Sequence, residues 1–265
     1  MLETGATRPT CAGLWVVQGN WFRVLLADAH GPVGAVIREP PSIIIGPHLT
    51  AAGAGVDTAD VWTSAAAFGR NVQRYGDNAA YRGFDAVMYD PEAWNATPMA
   101  ERRDPVTAFA QFSRVARAHG WSVVITPHPN LVTVAGAACH TNAGESSYAA
   151  FLRCDLTGQA ARVADVVEVQ AQGLQTQPDA YRTFVLSAAD QARTANPNVK
   201  VIAGLVAGPN TSAAQMYAAW SSVRDIVDGY YLSISTPQLA AVAVAFIKMV
   251  DEKMVSENVG AGGPS

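Results

Sequence analysis

Positive charge is scarce in this chain. Its 265 residues include 18 lysines and arginines, nowhere clustered, against 22 acidic residues, for a net charge of −4. A nucleic-acid surface has to neutralise successive phosphates, so nucleic acid is not an expected partner. Long apolar runs are also missing. A membrane-spanning helix takes about 20 consecutive apolar residues. The richest stretch, Leu239 to Val250, is shorter and has the character of a terminal amphipathic helix, so no membrane span is expected. Met1 to Pro9 lacks the basic-then-apolar layout of a signal peptide. Gly53 and Gly55, in AAGAGVD, do not have the spacing of a dinucleotide-binding loop and more simply ease a turn. There are no repeats of solenoid period, no nucleophile elbow and no Ser-His-Asp order.

Cysteine is rare as well, with Cys11, Cys139 and Cys154 the only three. Cys139 and Cys154 flank a loop-plus-helix stretch of a size that a disulfide closes readily, with Cys11 left over. Such a bridge implies an oxidising compartment, hence a secreted or extracytoplasmic protein. Two buried free thiols, compatible with the cytoplasm, are the other reading. A zinc site from Cys139, His140 and Cys154 comes third, because no CxxC-type spacing accompanies it.

What is present is core. Hydrophobic residues make up 49% of the chain and charged residues 15%, a balance that folds rather than disorders. Strand-like runs fall at Leu14–Gln18, Val33–Ile37, Ser42–Gly46, Ala86–Asp90, Ser122–Thr126, Val166–Gln170, Val199–Gly204 and Gly229–Ser233. Helical patterns alternate with them. Asp57 can cap a helix with the stripe Val61, Ala65, Phe68, Val72 and Tyr75. Asp104-Pro105 opens another that Gly120 closes. Tyr148 to Val163, Tyr181 to Thr194 and Met216 to Val223 continue the alternation. Strand–helix alternation with short returns forces a parallel sheet. At this length the expected α/β fold is a single (β/α)8 TIM-like barrel rather than an open doubly wound sheet. Residues 1–10 are expected to form a flexible leader, 11–257 the barrel and 258–265 a disordered tail.

In such a barrel, polar residues at the carboxyl ends of strands face the site. The fourth strand ends Phe84-Asp85-Ala86-Val87-Met88-Tyr89-Asp90-Pro91-Glu92. Alternation puts Met88, Asp90 and Glu92 on one side and Val87 and Tyr89 on the other. Two carboxylates on one face couple, and the coupling raises one pKa, which suits a general acid beside an ionised neighbour. The alternative is an ordinary acidic strand end running into a loop.

The stretch FDAVMYDPE resembles the signature strand of glycoside hydrolase family 18, the chitinase-like barrels, whose pattern is roughly FDGxDxDxE. Phe84, Asp85, Asp90 and Glu92 match. Met88 replaces the family's middle aspartate, and Pro91 stands where tryptophan is frequent. Ser42 to Pro47 and Val201 to Leu205 resemble its third- and seventh-strand motifs. Gln170, Gln172 and Gly173 occupy the place of its Met-x-Tyr-Asp ending. The resemblance implies a glycoside hydrolase in which Glu92 protonates the glycosidic oxygen. Asp90 would orient a substrate acetamide that attacks the anomeric carbon, a substrate-assisted route.

Other strand ends add candidates. The third expected strand ends in His48 and the fifth in Thr126-Pro127-His128, while Glu168, Gln170 and Gln172 share one face of the sixth and should point inward. His48, Glu92, His128 and Glu168 could together hold a divalent metal; alternatively each His bonds a loop backbone. His30, His119 and His140 receive no role. Trp15, Trp21, Tyr89, Trp94 and Tyr231 are possible sugar platforms, although Trp15 also fits a core. Gln18 and Asn20 end the first strand, and Asn130 and Glu145 lie in the long fifth loop.

The reading that follows is a carbohydrate-active hydrolase with Asp90 and Glu92 catalytic. Gln18, Asn20, His48, Trp94, His128, Asn130, Glu168, Gln170, Gln172 and Tyr231 would contact a small-molecule or oligosaccharide substrate, with no cofactor and no resident metal. A metal-dependent barrel enzyme and a non-catalytic sugar-binding barrel are the alternatives.

Overall fold

The computed structural model describes residues 14–18, 42–45, 61–67, 86–95 and 97–261. Among the described residues there are eight strands: β1 (Leu14–Gln18), β2 (Ser42–Ile45), β3 (Val61–Ala67), β4 (Ala86–Tyr89), β5 (Ser122–Ile125), β6 (Val166–Val169), β7 (Lys200–Ala207) and β8 (Gly229–Ile234). All pair in parallel, in chain order, and the sheet curls until β8 pairs with β1. At that seam a side chain on Gly229 would collide with the Leu14 carbonyl, so only glycine allows the two backbones to approach.

The period of two along each strand divides the core into two layers. Leu14, Val16, Met88, Val124, Val166, Ile202 and Tyr231 form the interior cluster. Trp15, Val17, Val87, Tyr89, Val123, Ile125, Val167 and Leu232 belong to the outer cluster, beneath the helices. Met88 therefore faces inward and Tyr89 outward, as alternation predicts.

The described helices are α1 (Met99–Arg103), α2 (Pro105–Ala118), α3 (Ser147–Arg153), α4 (Leu156–Ala161), α5 (Pro178–Ala195), α6 (Ala213–Val223) and α7 (Ala240–Ala261). Asp104 caps α2 by accepting from Thr107 N at 3.1 Å, with Pro105 in the first turn, and the helix buries Ala108, Phe109, Phe112 and Ala116 against the sheet. Phe112 stacks on Tyr89 with ring centroids 5.0 Å apart. Gly120, at φ 75°, turns the chain into β5. Among the described residues no helix is long and apolar enough to cross a membrane.

Two expectations require correction. Val61 and Ala65 do not lie on a helix, because Val61–Ala67 is β3, hydrogen-bonded between β2 (Ile43↔Trp62) and β4 (Ala65↔Val87). The four-residue spacing of two apolar residues fits a helical stripe, but Val61-Trp62-Thr63 is β-branched and aromatic, and the sheet needs a strand there. Phe68, Val72 and Tyr75, like Val33–Ile37, lie outside the described residues. Tyr148 to Val163 is two helices, not one, broken at Asp155 with its left-handed φ of 52°. The last helix runs through Ala261.

Candidate functional site

The C-terminal ends of β4, β5 and β6 bring the acidic residues together. Asp90 follows β4 directly, and its Oδ1 accepts from Thr126 Oγ1 at 2.8 Å and from Gln170 Nε2 at 2.7 Å. The same Gln170 Nε2 donates to the Thr126 carbonyl at 2.7 Å. Thr126 N in turn donates to Tyr89 O at 2.9 Å, which fixes the end of β5 against the end of β4. Three strand ends thus converge on one carboxylate oxygen.

Glu92 lies two residues further on, where the chain turns. Its N–H donates to Thr97 Oγ1 at 3.1 Å, and the same oxygen accepts from Trp94 Nε1 at 2.9 Å. Asn130 reaches across from the fifth loop. Its Oδ1 accepts from Ala93 N at 2.9 Å, and its side chain also hydrogen-bonds the Glu92 carboxylate. His128 serves this arrangement, since its Nδ1 accepts from Asn130 N at 3.0 Å and so starts the turn Pro129–Thr133. For His128 the loop-backbone role holds. Among the described residues no group of three or more His, Cys, Asp and Glu side chains stands in metal-binding geometry; His48 lies outside them.

Glu168 sits deeper, only 1% exposed, with its Oε1 accepting from Gln172 Nε2 at 3.0 Å. A Cβ at position 204 would stand 2.5 Å from Glu168 Oε1, so β7 passes close beneath this side chain because residue 204 is glycine. Gln170 is 7% and Tyr231 8% exposed, both inside the sheet. Trp94 is 37% exposed beside Glu92.

Burial raises all three carboxyls, and their hydrogen bonds rank them. Asp90 is pushed up by burial to about 6, against the opposing pull of Thr126 and Gln170. Glu92 is pushed up to about 7 by burial and then by the Asp90 charge, against one hydrogen bond from Asn130. Glu168 lies well above the usual carboxylate range, through burial and the charge of Asp90. Burial lowers His128, against the Asn130 hydrogen bond, and so favours its neutral form. In a desolvated mouth three neighbouring carboxyls cannot all ionise, and the one with most donors gives up its proton first. That carboxyl is Asp90.

Of the expected contact residues, the structure gathers Asp90, Glu92, Trp94, His128, Asn130, Glu168, Gln170 and Gln172 around this mouth, with Tyr231 in the interior layer. Asn20, His48 and Trp21 lie outside the described residues, as does the Gln18 side chain. Two proposed sugar platforms are core instead. Trp15 packs on Tyr230 and Phe246, with centroids 5.3 and 6.3 Å away. Tyr89 is fully buried and donates its hydroxyl to Glu101. Both occupy outward positions on their strands, which helices cover. Glu145 is not a free wall residue, because it pairs with Arg153 at 2.9 Å and accepts from Asn142 N, which braces the loop. Sequence reasoning did not find Thr97, which no periodicity marks. It did not assign Thr126 to the site either, although the parallel register Tyr89↔Ile125 places it beside Asp90.

The long fifth loop returns to the barrel at the corner between α3 and α4. There Cys139 and Cys154 face one another with Cα atoms 5.9 Å apart. A cavity of about 170 Å³ lined by Leu131, Cys139, Cys154 and Leu156 lies against this corner and shares no residue with the carboxyl cluster.

No family model matches the chain, and no curated protein matches it either. Solved structures do. One assigned as an alpha-L-fucosidase from Bacteroides thetaiotaomicron superposes with a TM-score of 0.54 at 9% identity, covering 96% of this chain and 99% of its own. A Schiff-base-forming fructose-1,6-bisphosphate aldolase superposes with a TM-score of 0.50 at 13% identity, covering 93% and 96%. At such identities the likeness shows the fold alone, that of a TIM-barrel protein.

Proposed function

We propose that this chain is a carbohydrate-active enzyme on a complete (β/α)8 barrel, a glycoside hydrolase in which Glu92 is the general acid and Asp90 its ionised partner. The observation that carries the reading is the unequal environment of two carboxyls on one strand end. Asp90 receives two donors on one oxygen, whereas Glu92 receives one and feels the Asp90 charge. Environments that push two acids apart in pKa are how acid and base roles are divided. Glu92 keeps a proton near neutrality and can deliver it to a glycosidic oxygen. Asp90 can support positive charge developing at the anomeric carbon or orient the group that attacks it.

The resemblance of FDAVMYDPE to the family 18 strand supports the same roles, and it favours a substrate carrying an acetamido group. The departure at Met88 has a structural counterpart. The missing middle carboxylate leaves an apolar side chain in the interior layer, and Thr126 and Gln170 supply the polar contacts to Asp90 instead. Trp94, Asn130, Glu168 and Gln172 would line the sugar subsite.

A panel of chromogenic glycosides, with N-acetylglucosaminides included, tests the reading. The wild type should release the chromophore from at least one, and Glu92→Gln should lose that turnover while keeping its circular dichroism and melting no lower than the wild type. Undiminished turnover by Glu92→Gln would remove the proposal.

A further inference from the structure

We propose that Gln170 is the positioning residue of the acid pair: its amide, held in one orientation by Thr126, fixes Asp90 Oδ1 and leaves Oδ2 to face a ligand. Gln170 Nε2 has two N–H groups and two acceptors, Asp90 Oδ1 and the Thr126 carbonyl, each at 2.7 Å. Turning the amide over would set its oxygen against a carboxylate and a carbonyl, two acceptors with no proton between them. The orientation is therefore locked by a backbone atom that β5 cannot move, since Thr126 N is itself bonded to Tyr89 O. Thr126 Oγ1 adds a second donor to the same Asp90 oxygen at 2.8 Å. Rotating the carboxylate would break both bonds together.

The consequence lies in where the shared proton rests. Donors directed at a carboxylate favour its ionised form. The groups facing Asp90 are Glu92 from its own strand end, Thr126 and His128 from the end of β5, and Glu168 and Gln170 from β6; β3, its other neighbour, has no titratable residue within Val61–Ala67. Among these the only donors bonded to Asp90 are Thr126 and Gln170. Gln170 thus keeps charge on Asp90 and the proton on Glu92, without itself touching the reacting bond. For turnover this role rests on the glycosidase reading; for the geometry of Asp90 it does not.

The test uses the full chain as wild type, Gln170→Leu and Gln170→Glu, with the side-chain carboxyl carbons of Asp90 and Glu92 titrated by NMR. Leu keeps a similar bulk without a donor, and Glu keeps the shape but replaces the NH2 group, so either variant decides the question if the other fails to fold. Loss of one charge-assisted bond should raise the Asp90 titration by about one pH unit. On any glycoside that is hydrolysed, kcat should fall more than KM changes, and the acidic limb of the pH profile should move up with Asp90. Asp90 titrating at its wild-type pH in a folded variant would overturn the proposal. A wild type that hydrolyses no glycoside, with the Asp90 shift present in the variants, would remove the functional reading and leave the clamp standing.

Discussion

Asp165 and Asp228 have the same role at alternate strands, each standing one residue before a strand and accepting an N–H from the strand before it. Asp165 Oδ2 accepts from Val123 N in β5 at 2.7 Å, and Asp228 Oδ2 from Val201 N in β7 at 3.0 Å. Each also holds cations: Arg117 at 3.0 Å for Asp165, and Arg193 at 3.1 Å and Lys200 at 3.2 Å for Asp228. Both lie at the amino ends of the strands, away from the Asp90 mouth, where barrel residues stabilise rather than react.

Asp228 should therefore govern acid stability. Burial alone would raise its carboxyl, but the Val201 N–H and the Lys200 and Arg193 charges outweigh it and hold the group below its ordinary value. A lowered folded pKa gives stability that is present above the unfolded value near 4 and is lost as pH falls through the folded one. Asp228→Ala should cost about 1–3 kcal/mol at neutral pH, because it orphans a buried N–H. Urea unfolding at neutral pH and at pH 3 measures this, and the gap between wild type and variant should narrow in acid. A gap of equal size at both would deny the charge any contribution.

How much of this could be read from the chain depends on the range of each interaction. The acid pair at Asp90 and Glu92 and the inward face of Glu168 and Gln170 follow from a period of two, which is local. So do the cap at Asp104 and the turn at Gly120. β3 was hidden because Thr63-Ser64-Ala65-Ala66-Ala67 has no alternation, and its strand character comes from β2 and β4 on either side. The partnership of Gln170 with Asp90 spans 80 residues of chain and exists only once the sheet has curled. Trp15 and Tyr89 looked like sugar platforms because an aromatic ring suits a platform and a core alike, although alternation already put Tyr89 on the side away from Asp90.

The fifth loop carries Asn130 at one end, and the cysteine pair sits beyond it. A Cα separation of 5.9 Å falls within disulfide range. Non-reduced peptide mapping of oxidised material should show Cys139 linked to Cys154, and Cys154→Ser should cost on the order of 3 kcal/mol in the loop-entropy model. Three free thiols in oxidised, non-reduced protein would refute the pairing and remove the ground for expecting an oxidising compartment.

Trp94 offers its ring beside Glu92 while its Nε1 is pinned to Thr97, so its plane is fixed before any ligand arrives. Trp94→Ala should raise KM several-fold and leave kcat nearly unchanged, as expected when uniform binding is removed. Trp94→Phe should recover some of the loss. A fall in kcat at constant KM would instead assign Trp94 to the chemical step through Thr97 and the Glu92 backbone.

The pH profile gives the sharpest test of the acid pair. Asp90 is ionised above about 6 and Glu92 protonated below about 7, so the active form is most populated between those two values. The rate should decline on the acid side as Asp90 gains a proton and on the alkaline side as Glu92 loses one. Because the groups interact, the limbs report the pair's apparent constants. Glu92→Gln should lower kcat by about 10²- to 10⁴-fold, the usual worth of a general acid. Asp90→Asn should cost less if the residue only orients or supports charge. Stability should move the other way. A carboxyl with a raised folded pKa opposes folding once pH exceeds its unfolded value, so Glu92→Gln should melt higher than wild type at pH 8 and lose that advantage near pH 4. A chelator should leave turnover unchanged, since proton transfer between Glu92 and a glycosidic oxygen requires no ion. Activity that vanishes on chelation and returns with a divalent metal would transfer Glu92 from acid to ligand and overturn the assignment.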